Sequence, residues 1–242
     1  MFTDTVKPKF YGRRKGRTIH KAKSYLLDTF LPRILFNVND DLMHCFSEKK
    51  QKYCLEIGFG DGAHLAAISK AQPENGFLGV EVYKNGVANL LSLITGVSDA
   101  VENMEEQQIN LLDERIDNVR VYDDDVRLLF SALPDGVFDK IYLLFPDPWP
   151  KKKHSARRFV NPDNLKELAR LLKKGGILQI ATDHHVYKCW TLEQMRNCPY
   201  FKWTAKTSDD WRYPPADWFE TKYQQKAIRE GRKPVFFEFE RL

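Results

Sequence analysis

The sequence predicts an α/β fold in which a doubly wound, mainly parallel sheet forms a single domain. From residue 53 onward, short apolar runs typical of strands alternate with apolar residues at helical spacing, which is the pattern of repeated β-α-β units. The chain has 242 residues and 43% apolar content, so it can bury one sizeable core, and its composition does not require a second. We therefore predict one domain over residues 25–242, preceded by a basic arm over residues 1–24.

The first three predicted strands are joined by helices. The first, Tyr53–Ile57, stops at a glycine-rich turn, and the helix after it ends at Pro73. The second strand covers residues 76–81, and a helix with apolar residues between positions 87 and 94 follows it. The third, Val119–Tyr122, ends at three consecutive aspartates. Ligands of open α/β sheets bind at the carboxyl ends of the strands, so these turns are candidate site segments.

The fourth predicted strand, residues 141–145, ends in a proline-rich loop around Asp147. Pro146 cannot donate a hydrogen bond to a neighbouring strand, so the strand stops there. Prolines at positions 146, 148 and 150 stiffen the loop, which lets Asp147 and Trp149 be held with little further ordering cost. Lysines and arginines follow at positions 151–153, 157 and 158, and they indicate a polyanionic ligand.

The last predicted elements complete the sheet. A helix capped by Asn161 leads through Gly175 and Gly176 into a fifth strand, residues 177–182, which ends at Asp183. Apolar runs at 201–205 and 235–239 predict a closing antiparallel pair.

Charge is unevenly distributed along the chain. Lysine and arginine exceed aspartate and glutamate by 38 to 33, and the arm carries much of the positive charge, so we expect it to be flexible without a partner. Residues 96–112 form an acidic insertion that phosphate would repel.

No apolar leader or stretch of about 20 apolar residues is present, so we expect a cytoplasmic protein without a membrane anchor. The four cysteines lack metal-ligand spacing, and neighbouring His184 and His185 lack a third ligand, so no metal site is expected.

The turn after the first strand resembles the nucleotide-binding turn of S-adenosylmethionine-dependent methyltransferases. Glu56 lies on the strand, and Gly58, Gly60 and Gly62 alternate after it, whereas a dinucleotide site favours G-x-G-x-x-G around a pyrophosphate. S-adenosylmethionine has no phosphate, so close backbone approach and a carboxylate suit it better. A tight strand-to-helix turn without a ligand is the alternative interpretation.

Two further carboxylates fit the same cofactor. Glu81 ends the second strand, where it can accept hydrogen bonds from both ribose hydroxyls. Asp124, or failing that Asp125, ends the third strand, where it can accept a hydrogen bond from the adenine amine. A solvated acidic turn is the competing interpretation of the two aspartates.

Three segments, LFPDPWPKKKHSARR, ATDHHVY and TKYQ, resemble the tRNA (guanine-N7)-methyltransferase family over residues 53–242. The resemblance implies a Rossmann-like methyltransferase sheet, S-adenosylmethionine as cofactor and a guanosine of the tRNA variable loop as substrate. It implies that Asp147 is catalytic. The implied cofactor-binding residues are Glu56, Gly58, Gly60, Gly62, Glu81, Asp124 and Asp147. The implied substrate-binding residues are Lys151, Asp183, Thr221, Lys222, Tyr223 and Gln224.

Gln224 departs from the family pattern, which has glutamate there, so it keeps an acceptor oxygen but loses the charge. Two alternative functions stay open from the sequence. One is an RNA methyltransferase acting on an exocyclic amine, although such enzymes typically carry D-P-P-Y or N-P-P-Y where Trp149 follows Asp147 and Pro148. The other is a catalytically silent RNA-binding protein. We expect a monomer or a weak homodimer.

Overall fold

The computed structural model describes residues 9–97 and 116–242. Within these ranges seven strands form one sheet in the order β3-β2-β1-β4-β5-β7-β6. The strands are β1 (Tyr53–Ile57), β2 (Gly76–Val80), β3 (Val119–Tyr122), β4 (Phe138–Leu144), β5 (Leu172–Thr182), β6 (Phe201–Trp203) and β7 (Val235–Arg241).

Helices of the described residues cover both faces of this sheet. They are α1 (Lys21–Thr29), α2 (Leu31–Ile34), α3 (Ala63–Ala71), α4 (Lys84–Thr95), α5 (Pro162–Leu171), α6 (His185–Arg196), α7 (Asp209–Arg212) and α8 (Lys222–Arg229). Two short 3-10 segments, Val126–Leu128 and Lys152–Arg157, follow β3 and β4. None of the helices in the described ranges is long and apolar enough to cross a membrane.

The sheet is parallel from β3 to β5, and β7 pairs antiparallel to β5 at its side. The expected fold class, a mainly parallel doubly wound sheet with a closing antiparallel strand, is confirmed. The chain order of the strands reverses between β1 and β4. Ligands of such sheets bind at this switch point, outside the carboxyl ends of the strands.

Apolar side chains fill both faces of the sheet. Leu55, Leu143 and Leu178 belong to the cluster on one face, and Tyr142 and Phe236 belong to the cluster on the other. All five residues of β1 are buried. Burial on both faces explains why the central strands are continuous apolar runs rather than alternating ones.

The starting residues of β4 and β5 differ from the sequence expectation. β4 begins three residues early, at Phe138, because its polar residues have partners: the Asp139 carboxylate accepts a hydrogen bond from the Tyr53 amide at 2.9 Å and pairs with Lys173. β5 begins at Leu172, directly after α5, and its pairing with β4 shifts register between Phe138 and Lys140. Charged residues at the start of a strand interrupt the apolar run, so the run alone does not show where the strand begins.

Candidate active site

A cleft of about 660 Å³ opens at the carboxyl ends of β1, β2 and β4, at the switch point of the sheet. It brings together seven of the candidate ligand-binding residues singled out from the sequence: Gly58, Gly60, Glu81, Asp124, Asp125, Asp147 and Tyr223. The other seven lie outside its lining: Glu56, Gly62, Lys151, Asp183, Thr221, Lys222 and Gln224.

The glycine turn needs glycine for its backbone. Gly58, Gly60 and Gly62 have φ of +68°, +60° and +76°, a region that other residues rarely adopt. A Cβ at Gly58 would meet nothing within 4 Å, so conformation rather than crowding requires glycine there. A Cβ at Gly86 on α4 would lie 2.0 Å from the carbonyl oxygen of Gly60. Sequence reasoning missed Gly86, which lets α4 pack directly against the turn.

Glu81 is a buried carboxylate fixed at the floor of the cleft. One carboxylate oxygen accepts a hydrogen bond from the Gly60 amide and the other from the Tyr83 amide, each at 2.8 Å. Burial raises the pKa of Glu81, and the nearby charge of Asp147 raises it further. The glycine turn and this carboxylate therefore form one preorganised unit.

The two candidate adenine acceptors have different surroundings. Asp125 is buried and accepts hydrogen bonds from the Arg127 amide and guanidinium. Asp124 lines the cleft with about a third of its side chain exposed, and its carboxylate pairs with Arg14 at 3.0 Å. Asp124 is therefore the more accessible acceptor of the two.

The loop after β4 holds Asp147 between two residues with unusual backbone conformations. Phe145 and Trp149 have φ of +50° and +40°, which costs on the order of 1–3 kcal/mol each and requires support from the surroundings. Arg158 gives that support, because its guanidinium donates to the carbonyl oxygens of Pro148 and Trp149 at 3.2 and 3.0 Å. The sequence suggested that Arg158 binds a polyanion. Arg158 is instead buried beneath the loop, and its guanidinium stacks over Trp190.

The other cations of this segment stay near the surface. Lys151, Lys152 and Lys153 are exposed beside the loop. The Arg157 guanidinium lies over the rings of Trp149 and Tyr11, at 4.9 and 4.6 Å from their centroids. The lysines are thus the residues of this cluster that are available for phosphate.

Part of the basic arm forms a wall of the cleft. Phe10, Tyr11, Gly12 and Arg13 line it. The Lys84 amide donates to the Arg14 carbonyl oxygen at 3.0 Å, and further hydrogen bonds join Gly16 and Arg17 to Asn85 at the start of α4. Sequence reasoning missed this contact, because the arm lacks the apolar periodicity of a packed element.

Asp183 lies at the end of β5, next to the strand that carries Asp147. It lines a separate cleft of about 390 Å³ with His184, Lys188 and Arg232, among others. Its carboxylate accepts a hydrogen bond from Arg232 Nε at 2.6 Å. His184 caps α6 by accepting from the Val186 amide, and the described residues contain no cluster of three or more metal-ligating side chains.

The segment from Thr221 to Gln224 reaches the glycine turn from the opposite side. Thr221 caps α8 by accepting from the Gln224 amide at 3.0 Å, and Lys222 pairs with Asp61 at 3.0 Å. The Tyr223 ring stacks on Phe145, with 6.5 Å between their centroids. Of these four residues, only Tyr223 enters the cleft.

Glu56 lies beneath the glycine turn. Only 3% of its surface is exposed, and its carboxylate contacts His64 Nδ1 at 2.8 Å. Sequence reasoning did not connect these residues, because His64 lies in the first turn of a helix that shows no distinctive pattern there. Glu56 therefore lies outside the lining of the cleft, with its carboxylate engaged by a residue of α3.

The cleft offers the chemistry that S-adenosylmethionine requires. Carboxylate acceptors at Glu81 and Asp124 suit ribose hydroxyls and an adenine amine, and the open space beside Gly58 lets a ligand approach the backbone. A positively charged sulfonium fits near Asp147, which is exposed to the cleft. The residues present thus fit this cofactor.

Solved structures with a similar fold are methyltransferases. The 16S rRNA methyltransferase KamB matches with a TM-score of 0.52 and 16% identity, covering 80% of this chain and 88% of that one. The aminoglycoside resistance methyltransferase NpmB1 matches with a TM-score of 0.51 and 14% identity, over 80% and 88%. At this identity the likeness supports the fold alone.

Sequence comparisons identify the family. Residues 50–237 match the family model described as "Putative methyltransferase". A tRNA (guanine-N(7)-)-methyltransferase of Rhodospirillum rubrum is 41% identical, covering 98% of this chain and 89% of its own length. A protein of the same name from Agrobacterium fabrum is 39% identical over 95% and 94%. The chain therefore belongs to the tRNA (guanine-N7-)-methyltransferase family.

Proposed function

We propose that this protein transfers a methyl group from S-adenosylmethionine to N7 of a guanosine in the tRNA variable loop. The observation that carries the proposal is the cleft itself, in which Asp147 and the glycine turn with Glu81 share one cavity at the switch point. Relatives named for this reaction, with similarity along nearly the whole chain, support it.

The cofactor, when bound, supplies an electrophilic methyl group on a sulfonium. Each carboxylate oxygen of Glu81 accepts one hydrogen bond from a backbone amide. The remaining lone pairs of these oxygens accept hydrogen bonds from the ribose hydroxyls. Asp124 accepts from the adenine amine after releasing Arg14. Gly58 and Gly60 let the backbone approach the ligand. Gly62 lets the turn pack closely against Leu90 on α4, and Glu56 supports the start of α3 through His64.

The reaction at guanine N7 needs alignment more than proton transfer. N7 has a lone pair and no proton, so placing it in line with the methyl carbon supplies much of the rate, about 7–11 kcal/mol in well-oriented systems. Methylation makes the purine positive. Asp147 stabilises that charge and orients the reactants by accepting hydrogen bonds, and its rigid loop limits reorganisation.

The substrate reaches this site over the end of β5. Asp183 accepts from the N1 and N2 hydrogens of guanine, which adenine lacks in this arrangement, once Arg232 gives up its contact. Lys151 and its neighbours bind phosphate, and Thr221, Lys222 and Tyr223 border the approach. We place the protein in the cytoplasm with its tRNA, as a monomer or weak homodimer.

Mapping of methylated nucleosides tests the proposal. An unmodified tRNA transcript with a variable-loop guanosine is incubated with the protein and S-adenosylmethionine, and the product is digested and analysed by mass spectrometry. We expect N7-methylguanosine at that position, and none in a transcript with adenosine there. Methylation of an exocyclic amine, or tRNA binding without methylation, would contradict the proposal.

A further inference from the structure

A row of polar side chains crosses one face of the sheet at a single register level. Glu56 on β1 pairs with Tyr142 on β4, Tyr142 pairs with Gln179 on β5, and Gln179 pairs with Glu238 on β7. In-register neighbours on adjacent strands point to the same face of a sheet. The residues before α8 cross this face: Asp217 pairs with Lys140 at 3.0 Å, and the Trp218 ring packs on Phe236 at 4.8 Å between centroids.

His64 joins this polar row to Trp218. Its Nδ1 contacts the Glu56 carboxylate at 2.8 Å, and both side chains are almost fully buried. Its ring lies 5.5 Å from the Trp218 ring, centroid to centroid, and 6.5 Å from the Phe219 ring. The buried contact between His64 and Glu56 fixes the orientation of the His64 ring. The Trp218 ring packs on that ring, so its position is fixed as well.

Trp218 in turn fixes α8. Its Nε1 donates a 2.6 Å hydrogen bond to Gln224 Oε1, and Gln224 is 7% exposed. The amide oxygen of Gln224 is therefore already used inside the protein, away from the lining of the cleft. Tyr223, the preceding residue, covers the glycine turn, because a Cβ at Gly60 would lie 3.0 Å from the Tyr223 ring.

We infer that Trp218 and Gln224 are positioning residues that hold Tyr223 over the glycine turn, and that Gln224 does not read the guanine base. The inference rests on the proposed function and deepens it, since it assigns this pair to cofactor binding rather than to base selection. An uncharged acceptor suits the place, because the network already contains the buried carboxylate of Glu56. Glutamine thus keeps the hydrogen bond without adding a second charge.

Binding measurements without tRNA test the assignment. Trp218→Phe removes the N–H donor and keeps a ring, and Gln224→Leu removes the acceptor at similar volume. Each should weaken S-adenosylmethionine binding in calorimetry by about two- to tenfold, the range of one net hydrogen bond. The double variant should bind no more weakly than either single variant, since both changes break the same contact. Gln224→Glu retains an acceptor, so it should bind S-adenosylmethionine more tightly than Gln224→Leu, but more weakly than the native protein because it adds a second buried charge.

Matched variants separate this model from its alternatives. Gln225→Leu, on the exposed side of the same helix, should leave cofactor affinity unchanged. Tyr223→Ala should weaken cofactor binding without disturbing the buried pair, and it decides the matter if the Trp218 variant fails to fold. Unchanged cofactor affinity in Tyr223→Ala, or a Gln224→Leu defect confined to tRNA affinity, would overturn the inference. Because these assays contain no tRNA, the inference and the proposed reaction can fail independently.

Discussion

Asp147 lies in the cleft on a loop between two aromatic residues with positive φ, Phe145 and Trp149. A side chain on such a rigid loop keeps its direction through the reaction, which is the condition for electrostatic stabilisation of a developing charge. We proposed that this carboxylate orients the reactants and stabilises positive charge on the purine. A proton acceptor is not needed, because N7 carries no proton.

A substitution series at Asp147 distinguishes these roles. Asp147→Ala should lower single-turnover methylation of tRNA by on the order of a hundred- to a thousandfold, as for the loss of one preorganised contact. Asp147→Asn keeps an acceptor oxygen and should retain more activity than alanine. Both variants should fold and bind tRNA. Near wild-type turnover in the alanine variant would exclude the proposed role, and equal loss in both variants would favour proton transfer.

Glu81 makes cofactor binding depend on pH. Burial and the Asp147 charge raise the pKa of Glu81 above its ordinary value of 4.5, so the carboxylate becomes protonated at a higher pH than an exposed glutamate. Protonation removes acceptor capacity for the ribose hydroxyls. Calorimetric affinity for S-adenosylmethionine should therefore be full above this raised pKa and fall as the pH drops through it.

A charge-neutral variant checks the cause of that shift. Asp147→Asn removes one of the two contributions that raise the Glu81 pKa, so the midpoint of the affinity loss should move to lower pH. A midpoint that stays in place would mean that Asp147 does not act on Glu81. Glu81→Ala should bind the cofactor weakly at every pH.

At the scale of elements, the loop after β4 depends on one buried guanidinium. Arg158 donates to two carbonyl oxygens of the loop and stacks on Trp190, whose Nε1 donates to the Val160 carbonyl oxygen at 2.6 Å. The planar, forked guanidinium can serve two carbonyls at once, and an ammonium group cannot do so in the same geometry. The conformation of the loop therefore requires the geometry of an arginine side chain, and a positive charge alone is not sufficient.

We expect Arg158→Lys to lose turnover almost as completely as Arg158→Ala. Both should lower the free energy of unfolding by about 1–3 kcal/mol, the cost of leaving buried acceptors unsatisfied. Urea denaturation measures the stability, and single-turnover assays measure the rate. Lys153→Ala, in the exposed part of the same segment, is the control and should leave stability unchanged. Wild-type behaviour of Arg158→Lys would show that charge alone suffices.

At the scale of the whole molecule, the arm lies between the cleft and the exposed lysines for which we proposed phosphate binding. Residues 10–13 line the cleft, while Arg14 pairs with Asp124 and Tyr11 contacts Trp149 edge-on at 6.3 Å between centroids. The same segment carries a cluster of cations. Loss of the arm should therefore affect both ligands, whereas the sequence alone would assign it to RNA.

Deletion of residues 1–17 should weaken binding of S-adenosylmethionine as well as tRNA. If the arm and the lysines after Asp147 together neutralise about five phosphates, the slope of log affinity against log salt should lie near −3.5 to −4.5, and the deletion should flatten it. Lys152→Ala with Lys153→Ala should flatten the slope without changing cofactor affinity. Unchanged cofactor affinity in the truncated protein would show that the arm does not contribute to cofactor binding.

The sequence alone determined the fold class, the order of the seven strands along the chain and several of the residues that line the cleft. Apolar runs set β1 to β5, and the residues that end them, such as Glu81, Asp124 and Asp147, reach one edge because parallel strands share a direction. Such features can be predicted from local sequence, because proline, glycine and acidic residues influence the conformation of the few residues next to them. Gly58 and Gly60 are predictable for the same reason.

Only the tertiary structure decided which residues support that edge. Arg158 is ten residues from Pro148, His64 is eight from Glu56, and Trp218 lies far along the chain from both. Their roles depend on burial and on partners from other elements. Arg158 and Gln224, which the sequence suggested as ligand-binding residues, are therefore internal supports, and so is His64, which the sequence did not single out. Charge and residue type are local properties, whereas solvent access is a property of the folded molecule, and it separates residues that touch a ligand from those that position them.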